Sequence, residues 1–274
     1  PTETVYGLAA DATDGKAVAG IYTAKGRPSF NPLIVHVPDL AAAERIAIFS
    51  PVARNLAGRF WPGPLTLVLP LRPESGIASL ATAGLQTIAL RVPAHPAMQA
   101  LLAACGKPLA APSANASGSI SPTSAAHVLK SLGGRIPVII DAGRTSLGLE
   151  STIVAVAEDG TLRLLRPGPI DLGLALSDTG AIEAPGQLAS HYAPAKPLRL
   201  NVTKAGPDEW LIGFGEVQGD ATLSGGGDPA EAAANLFDAL HTAEDSEKPR
   251  IAVAPILARG LGIAINDRLS RAAA

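Results

Sequence analysis

The feature that most constrains this chain is its rhythm. Up to about Arg166, short β-rich runs alternate with segments of helical character, and Pro or Gly marks many of the changes. Frequent switching between those two periods is the signature of an α/β domain, in which helices cover the faces of a sheet. The runs 33–37, 65–69, 87–92, 109–111 and 138–141 are predicted strands. Ser50-Pro51 opens a helix that Pro62 stops, and Ser121-Pro122 opens another that Gly133-Gly134 closes, each using a hydroxyl cap followed by Pro at the first helical position. The runs 152–156 and 162–166 flank Asp159-Gly160, which predicts a tight hairpin.

Beyond Arg166 the pattern changes. Residues 169–196 lose periodicity and are dominated by Gly, Pro, Ala and Ser, which reads as a linker, although it carries the unusual run His191-Tyr192-Ala193-Pro194. A second, smaller α/β unit follows over 197–274, with strands expected at 198–200, 210–214 and 251–254. Asp228-Pro229-Ala230-Glu231 reads as a capping box, and Leu236 and Leu240 fall on one face of the helix behind it. A length of 274 residues accommodates two such units.

Composition excludes several classes. Hydrophobic residues make up 47% and charged residues 17%, too apolar for disorder, yet no run is long enough to span a bilayer. With a formal net charge of -2, any polyanion site must be a local cluster of cations. The single Cys105 excludes an internal disulfide and multi-cysteine metal sites; at the apolar end of a helix it is expected to be a buried thiol in a reducing cytoplasm. The first residues, Pro1-Thr2-Glu3-Thr4, read like the middle of a chain, so residues are expected upstream.

Familiar nucleotide cradles are absent. Gly106-Lys107 is followed by Pro108 rather than by the Ser or Thr of a phosphate-binding loop, and the run from Gly213 to Gly219 misses a dinucleotide fingerprint by one position. No zinc spacing occurs. Three weaker candidates remain. Lys25-Gly26-Arg27-Pro28 sets two cations and a glycine at an element boundary, which suits phosphate or carboxylate but equally a solvated turn. Ala111-Pro112-Ser113-Ala114-Asn115-Ala116-Ser117-Gly118 places small polar side chains after a strand, where open α/β sheets bind ligands, and Ser121 is expected to cap the next helix; an ordinary Ser- and Asn-rich turn reads the same way. Glu150-Ser151-Thr152 enters the hairpin, whose return strand ends in Arg166-Pro167-Gly168, so Arg166 is either a phosphate fork or a strand-end surface charge. His36, in an apolar run, is as well explained by a satisfied core position.

Taken in order, these pieces form one pattern. Pro1-Thr2-Glu3-Thr4-Val5-Tyr6-Gly7-Leu8, Lys25-x-Arg27-Pro28-x-x-Asn31-Pro32-Leu33, Trp61-Pro62-Gly63-Pro64, Arg91-Val92-Pro93, Ser113-Ala114-Asn115, Glu150-Ser151-Thr152 and Arg166-Pro167-Gly168 together resemble the YrdC/Sua5 family of threonylcarbamoyl-AMP synthases. His191-Tyr192-Ala193-Pro194 and the closing Gly260-Leu261-Gly262 to Asp267-Arg268-Leu269 resemble its longer type, which carries a linker and a C-terminal domain. The chain departs from the pattern in lacking the family's N-terminal strand and helix.

The resemblance implies a twisted mixed sheet in a YrdC-like catalytic domain over 1–168, a linker acting as a lid over 169–196, and a Rossmann-like α/β domain over 197–274. It implies that ATP, L-threonine and bicarbonate are joined into threonylcarbamoyl-AMP with release of pyrophosphate, the first step of a tRNA modification. Thr4, His36, Arg91, Ala111 and Ser151 would hold threonine. Arg27, Asn31, Thr87, Ser113, Ser121, Arg166 and Tyr192 would hold ATP, and Lys25, Arg27, Ser113 and Asn115 would surround the reacting centre. Magnesium would ride on the triphosphate with no dedicated protein ligands. The product would pass to a tRNA threonylcarbamoyl transferase, and a cationic concave face is compatible with weak tRNA or double-stranded RNA binding, with no membrane involved. Two alternatives remain distinct. Carbamoyl-AMP formation, as in hydrogenase-maturation proteins with a similar domain, would not need threonine. A non-catalytic RNA-binding module would release no pyrophosphate, and aromatic residues at only 4% offer it few stacking platforms.

Overall fold

The structure, a computed structural model, describes residues 1–177 and 182–274, so four residues of the expected linker lie outside the described residues. The first part of the chain runs β1 (Ala10–Asp11), α1 (Gly15–Lys25), β2 (Ile34–His36), α2 (Leu40–Ile46), α3 (Pro51–Phe60), β3 (Leu65–Pro70), α4 (Ser79–Thr82), β4 (Thr87–Arg91), α5 (Pro96–Cys105), β5 (Leu109–Ala110), α6 (Ala125–Leu132), β6 (Thr152–Val156) and β7 (Leu162–Arg166). The second part runs β8 (Leu198–Arg199), β9 (Glu209–Gly213), β10 (Ala221–Thr222), α7 (Pro229–Asp245), β11 (Arg250–Val253) and α8 (Leu261–Ala272). The strands of the first part form a seven-stranded sheet in the order β1-β5-β2-β4-β3-β6-β7. It is mixed, with β2 beside β4 and β3 beside β6 parallel and the other pairs antiparallel. The second sheet, β10-β9-β11-β8, is parallel throughout.

Because side chains alternate along a strand, the large sheet sorts its residues onto two faces. Val35, Leu67, Leu90 and Val154 point to the main core, which α1, α2 and α3 cover with Val18, Ile21, Ala43, Ala53 and Leu56. Ile34, Val68, Ala89 and Ile153 form a smaller cluster on the other face, and the residue that joins them from above is Ala184 of the linker. Two residues along each strand from that second cluster stand His36, Arg91 and Ser151, so strand alternation places all three on the linker-covered face. A bulge between β6 and β7 leaves both Leu165 and Arg166 opposite Ile153, which keeps Arg166 near this face too.

The C-terminal unit is not a separate bead. Its core of Leu236, Phe237, Leu240, Ile251, Val253 and Ile265 is continuous with Val5, Ile120 and Leu149 from the first part and with Tyr192 from the linker.

Most predicted elements are present, with five corrections. Residues 138–141 form no strand; Val138 is 71% exposed and Ile140 46%, since an apolar run makes a strand only where a neighbour pairs with its backbone. Ser121 does not cap α6: Ser124 does, accepting from the His127 amide, while Ser121 lies fully buried and donates to Glu150 Oε1. Cys105, expected to be buried, is exposed at the last turn of α5. Asp228 does cap α7 with Pro229 behind it, but Glu231 does not reach back to the cap amide. Ser224 is interposed, its hydroxyl accepting from the Asp228 amide and donating to Glu231. The two-residue strands β1 and β10 lie in stretches with no strand pattern of their own.

Candidate active site

The linker-covered face holds a cavity of about 40 Å³ lined by Thr2, Thr4, Val5, Gly7, Arg27, Ile34, His36, Arg91, Ala111, Pro112, Ser113, Glu150, Ser151, Arg166, Pro185, His191 and Tyr192. All five residues expected to hold threonine are among them. Of those expected to hold ATP, Arg27, Ser113, Arg166 and Tyr192 line it, and Asn31, Ser121 and Thr87 do not. Asn31 and Ser121 sit one contact behind the wall: the Asn31 carbonyl accepts from Arg27 Nε, and Ser121 holds Glu150. Thr87 starts β4 four residues before Arg91, paired with Pro70, about 13 Å along the strand from the cavity.

One end of the cavity is built around Arg91. Its Nη2 donates to Glu3 Oε1 at 2.6 Å, its Nη1 to Thr4 Oγ1 at 2.9 Å and its Nε to the Gly63 carbonyl at 3.1 Å. That last contact explains Trp61-Pro62-Gly63-Pro64. The Trp61-Pro62 peptide is cis, Gly63 donates to the Val92 carbonyl, and a side chain at Gly63 would come within 2.3 Å of the Phe60 carbonyl oxygen. Only glycine brings this turn against β4. His36, 2% exposed and beside Arg91, is pushed down to about 3 by burial first and by Arg91 second, so it is a neutral imidazole at the cavity wall.

The other end gathers cations. Arg27 donates from Nε to the Asn31 carbonyl and from Nη2 to the Pro32 carbonyl, and burial pushes it down to about 10, with Arg166 contributing. Arg166 donates to the Ser151 carbonyl and hydroxyl. Lys25 is 3% exposed and held well below the usual lysine range by burial, with Arg27 adding to it. None of the three is in direct ion-pair contact with a carboxylate among the described residues, although Glu150 lies near enough to act on Arg166, whereas Arg91 has Glu3. Buried positive charge without a counter-ion is costly, and the arrangement is stable in the presence of a polyanion.

Lys25 and Asn115 are not among the residues that line the cavity. Lys25 Nζ does not face the cavity. It donates to the Ser113 and Asn115 carbonyls and so holds the turn after β5 against the C-terminus of α1. The left-handed Gly26 (φ 61°) then reverses the chain toward Arg27. The Asn115 amide donates to the Ala116 and Ser119 carbonyls. The resemblance places both at the reacting centre; in this conformation they shape the loop that presents Ser113.

Sequence reasoning missed Glu3, Thr2, His191 and Arg268 as site residues. Glu3 and His191 lie inside quoted motifs, where a partner for Arg91 and a neighbour for Tyr192 could have been sought. Arg268 also lies inside a quoted motif, Asp267-Arg268-Leu269, but about a hundred residues from the cavity segments on α8, so nothing local ties it to the site. Several buried polar atoms around the cavity lack a hydrogen-bond partner: Asn31 Oδ1, Asn115 Oδ1, His36 Nδ1, His191 Nδ1 and Tyr192 Oη. Such clustering is unusual in a folded interior and fits a site for a polar ligand.

Comparison with known proteins agrees with this geometry. The family described as telomere recombination, Sua5/YciO/YrdC, matches residues 1–168, and the threonylcarbamoyl-AMP synthase C-terminal domain matches residues 152–274. A threonylcarbamoyl-AMP synthase of Bacillus subtilis is 40% identical over 100% of this chain and 88% of its own length. Another, from Pyrococcus abyssi, is 38% identical over 99% of this chain and 88% of its own. The crystal structure of P. abyssi Sua5 complexed with L-threonine superposes with a TM-score of 0.90 at 37% identity, covering 100% of this chain and 89% of that one.

Proposed function

This chain belongs to the YrdC/Sua5 family of threonylcarbamoyl-AMP synthases, and on that premise we infer that it joins ATP and L-threonine into threonylcarbamoyl-AMP, the first step of threonylcarbamoyladenosine formation in tRNA. The observation that carries the reading is a hydroxyl-lined pocket whose wall carries two buried guanidinium groups, Arg27 and Arg166, with no carboxylate in ion-pair contact, opposite an Arg91 that has one.

In the reaction, the threonine amine condenses with bicarbonate to a carbamate and water. A carbamate oxygen then attacks the α-phosphorus of ATP, and pyrophosphate leaves. No protein nucleophile is required. Thr4, Arg91 and Ser151, with neutral His36, are placed to take the zwitterion and its side-chain hydroxyl. Arg27, Arg166 and the Ser113 hydroxyl are placed for the phosphates, where fixed donors offset charge that grows as the leaving group departs, each contributing about 3 kcal/mol in comparable sites. Asn31, Thr87, Ser121, Lys25 and Asn115 then support these groups or meet the nucleotide beyond the cavity. Magnesium fits as a companion of the triphosphate: Glu150, the carboxylate lining the cavity, is already engaged by Ser121 and Arg268. Carbamates lose carbon dioxide in water, so a covered site is required, and the linker segment that carries Pro185, His191 and Tyr192 supplies the cover. Residues 1–168 act as the catalytic part, 169–196 as the lid and 197–274 as its anchor. The product passes to a tRNA threonylcarbamoyl transferase, with any tRNA or double-stranded RNA contact weak. No helix among the described residues is long and apolar enough to cross a membrane, and the reading includes a cytoplasmic setting, where ATP, threonine and tRNA meet.

The test is pyrophosphate release with each substrate omitted in turn. Product is expected only with ATP, bicarbonate, magnesium and threonine together. Serine should be at least about tenfold poorer, since one lost methyl contact costs ~1–3 kcal/mol. Equal release without threonine sinks the reading.

A further inference from the structure

Glu150 poses a problem for a site that binds a triphosphate: it is a fully desolvated carboxylate on the cavity wall. The residue that resolves it comes from the far end of the chain. Arg268 on α8 is 0% exposed; its Nε donates to Glu150 Oε2 at 2.8 Å and its Nη2 to the Pro167 carbonyl at 3.0 Å. The guanidinium carbon also lies 5.2 Å from the centre of the Tyr192 ring. Behind it Asp267 accepts from Nη1, and Arg271, bonded to that same aspartate, donates to the Leu188 carbonyl of the linker. One side chain of the C-terminal unit therefore touches the Glu150 loop, the turn after Arg166 and the tyrosine of the lid.

We propose that Arg268 is a positioning residue of the synthase, which neutralises Glu150 beside the nucleotide and seats Tyr192 over it, so that docking of the C-terminal unit completes the ATP half of the site. The inference rests on the function given above and adds to it the contribution of α8. Glu150, Pro167 and Tyr192 adjoin or belong to the proposed nucleotide residues Ser121, Arg166 and Tyr192; Arg268 bonds to no residue of the threonine set, although Ser151 of that set follows Glu150 in the chain. Its loss acts on ATP by two routes: Glu150 is left as an unpaired anion facing the phosphates, and Tyr192 loses the cation beneath its ring.

The experiment compares the full-length protein with R268K, R268Q and the double variant R268Q/E150Q, measuring KM for ATP, KM for threonine, kcat and melting temperature. Wild-type turnover that requires threonine holds the underlying function independently of the variants. R268Q is expected to raise KM for ATP at least about tenfold while KM for threonine changes by less than about twofold. The added E150Q should restore a substantial part of that ATP affinity, because it removes the unpaired charge. R268K should fall between, since an ammonium keeps the charge but not the fork. Should R268Q fail to fold, the ATP-to-threonine split in R268K decides. An equal rise in both KM values, or no rescue by E150Q, assigns Arg268 a purely structural role and overturns the proposal.

Discussion

Two buried arginines stand at opposite ends of the cavity, each paired with a glutamate, and they differ in how far apart in the chain their partners lie. Arg91 and Glu3 belong to the same sheet domain and are joined at 2.6 Å. Arg268 and Glu150 join different domains, at 2.8 Å. In the first pair, strand alternation places Arg91 on the linker-covered face and the N-terminal segment brings Glu3 to it, and the neighbours Thr4 and Gly63 come from the same domain. The second exists only when α7 and α8 are docked. The threonine end is thus a property of one fold, whereas the nucleotide end is a property of an interface.

The strongest break of that comparison is Arg91→Ala. Truncating one member of a buried, hydrogen-bonded charge pair commonly costs about 2–5 kcal/mol or more, and here it strands Glu3. Turnover with threonine should fall about a thousandfold, while calorimetric ATP affinity without threonine stays within about twofold. Loss of both affinities together would mean that the two ends are not separable. Arg27→Ala is less clean, because its guanidinium ties down the Asn31 and Pro32 carbonyls and its loss should lower the melting temperature as well as activity.

The same contrast explains what the sequence disclosed. Arg91, His36 and Ser151 were named through the family resemblance alone, His36 reading by itself as a core position; the structure adds that strand alternation brings all three to one face. Arg166 was legible as an alternative only, since the bulge that brings it to the cavity leaves no residue-level mark. Lys25 looked like a phosphate ligand because sequence shows a charge but not its carbonyl partners. Ser121 looked like a cap because Ser-Pro usually is one, and nothing local reveals the buried Glu150 twenty-nine residues on. Arg268 stood in a quoted motif, but its pairing with Glu150 was invisible for the general reason that tertiary pairing has no sequence period.

A second, smaller break is aimed at the interface alone. Gly148 has φ 69°, and a Cβ there would meet the Ala233 carbonyl oxygen of α7 at 2.4 Å and Ala234 Cα at 2.6 Å. Gly76 has the same φ of 69° with open space around it. Gly76→Ala should cost only the left-handed penalty of about 1–2 kcal/mol. Gly148→Ala adds a clash with helix backbone that can be relieved only by moving α7 away, and overpacking of this kind costs about a further 1–3 kcal/mol. ATP affinity should therefore drop about ten- to a hundredfold in Gly148→Ala alone, with threonine binding retained. Identical behaviour of the two variants would show that the docking is loose.

Acid should open the nucleotide end first. His191 is pushed down to about 3 by burial, with Arg27, Lys25 and Arg166 adding to it and Glu150 opposing. His127 is pushed down to about 4 by burial and by His241, on which it stacks at 3.8 Å, with Asp238 opposing and Arg144 and Lys130 assisting. His241, lowered by burial, shares its nitrogen with the Ser121 carbonyl. All three lie between the two domains, against two lowered histidines at the other end, the buried His36 and the partly exposed His95 near Glu3. A histidine whose folded pKa lies below the ordinary value near 6.5 leaves stability untouched above about pH 6.5. Below it the undocked form binds the extra proton, and stability falls by up to about 1.4 kcal/mol per pH unit for each until the folded pKa is reached. From pH 7 to 5, amide protection factors, which are corrected for the slower intrinsic exchange in acid, should fall more at Leu149 and Phe237 than at Leu67 and Val154. Equal falls would tell against a separable interface.

The smallest effect sharpens the comparison most, because it predicts opposite signs for stability and function. Tyr192 is 1% exposed, its ring packs in the interdomain cluster, and its hydroxyl has no hydrogen-bond partner. Burial raises its pKa, with Glu150 adding to the rise, so the phenol is neutral, and its oxygen interacts electrostatically with the Arg166 guanidinium without reaching good hydrogen-bond geometry. An unsatisfied buried hydroxyl costs about 1–3 kcal/mol. Tyr192→Phe keeps the ring, its contact with Phe237 and the cation beneath it, and removes only that oxygen. The ligand-free protein should therefore melt slightly higher than wild type. If the hydroxyl is there to meet the nucleotide, ATP affinity should fall by about five- to tenfold, the worth of one hydrogen bond of ~1 kcal/mol or slightly more, while threonine affinity is unchanged. A variant that melts higher and binds ATP equally well would make Tyr192 a packing residue and leave the lid without its polar contact. A variant that melts lower would mean that the hydroxyl already has a partner at the interface, and that the two ends of the cavity are less different than their arginine pairs suggest.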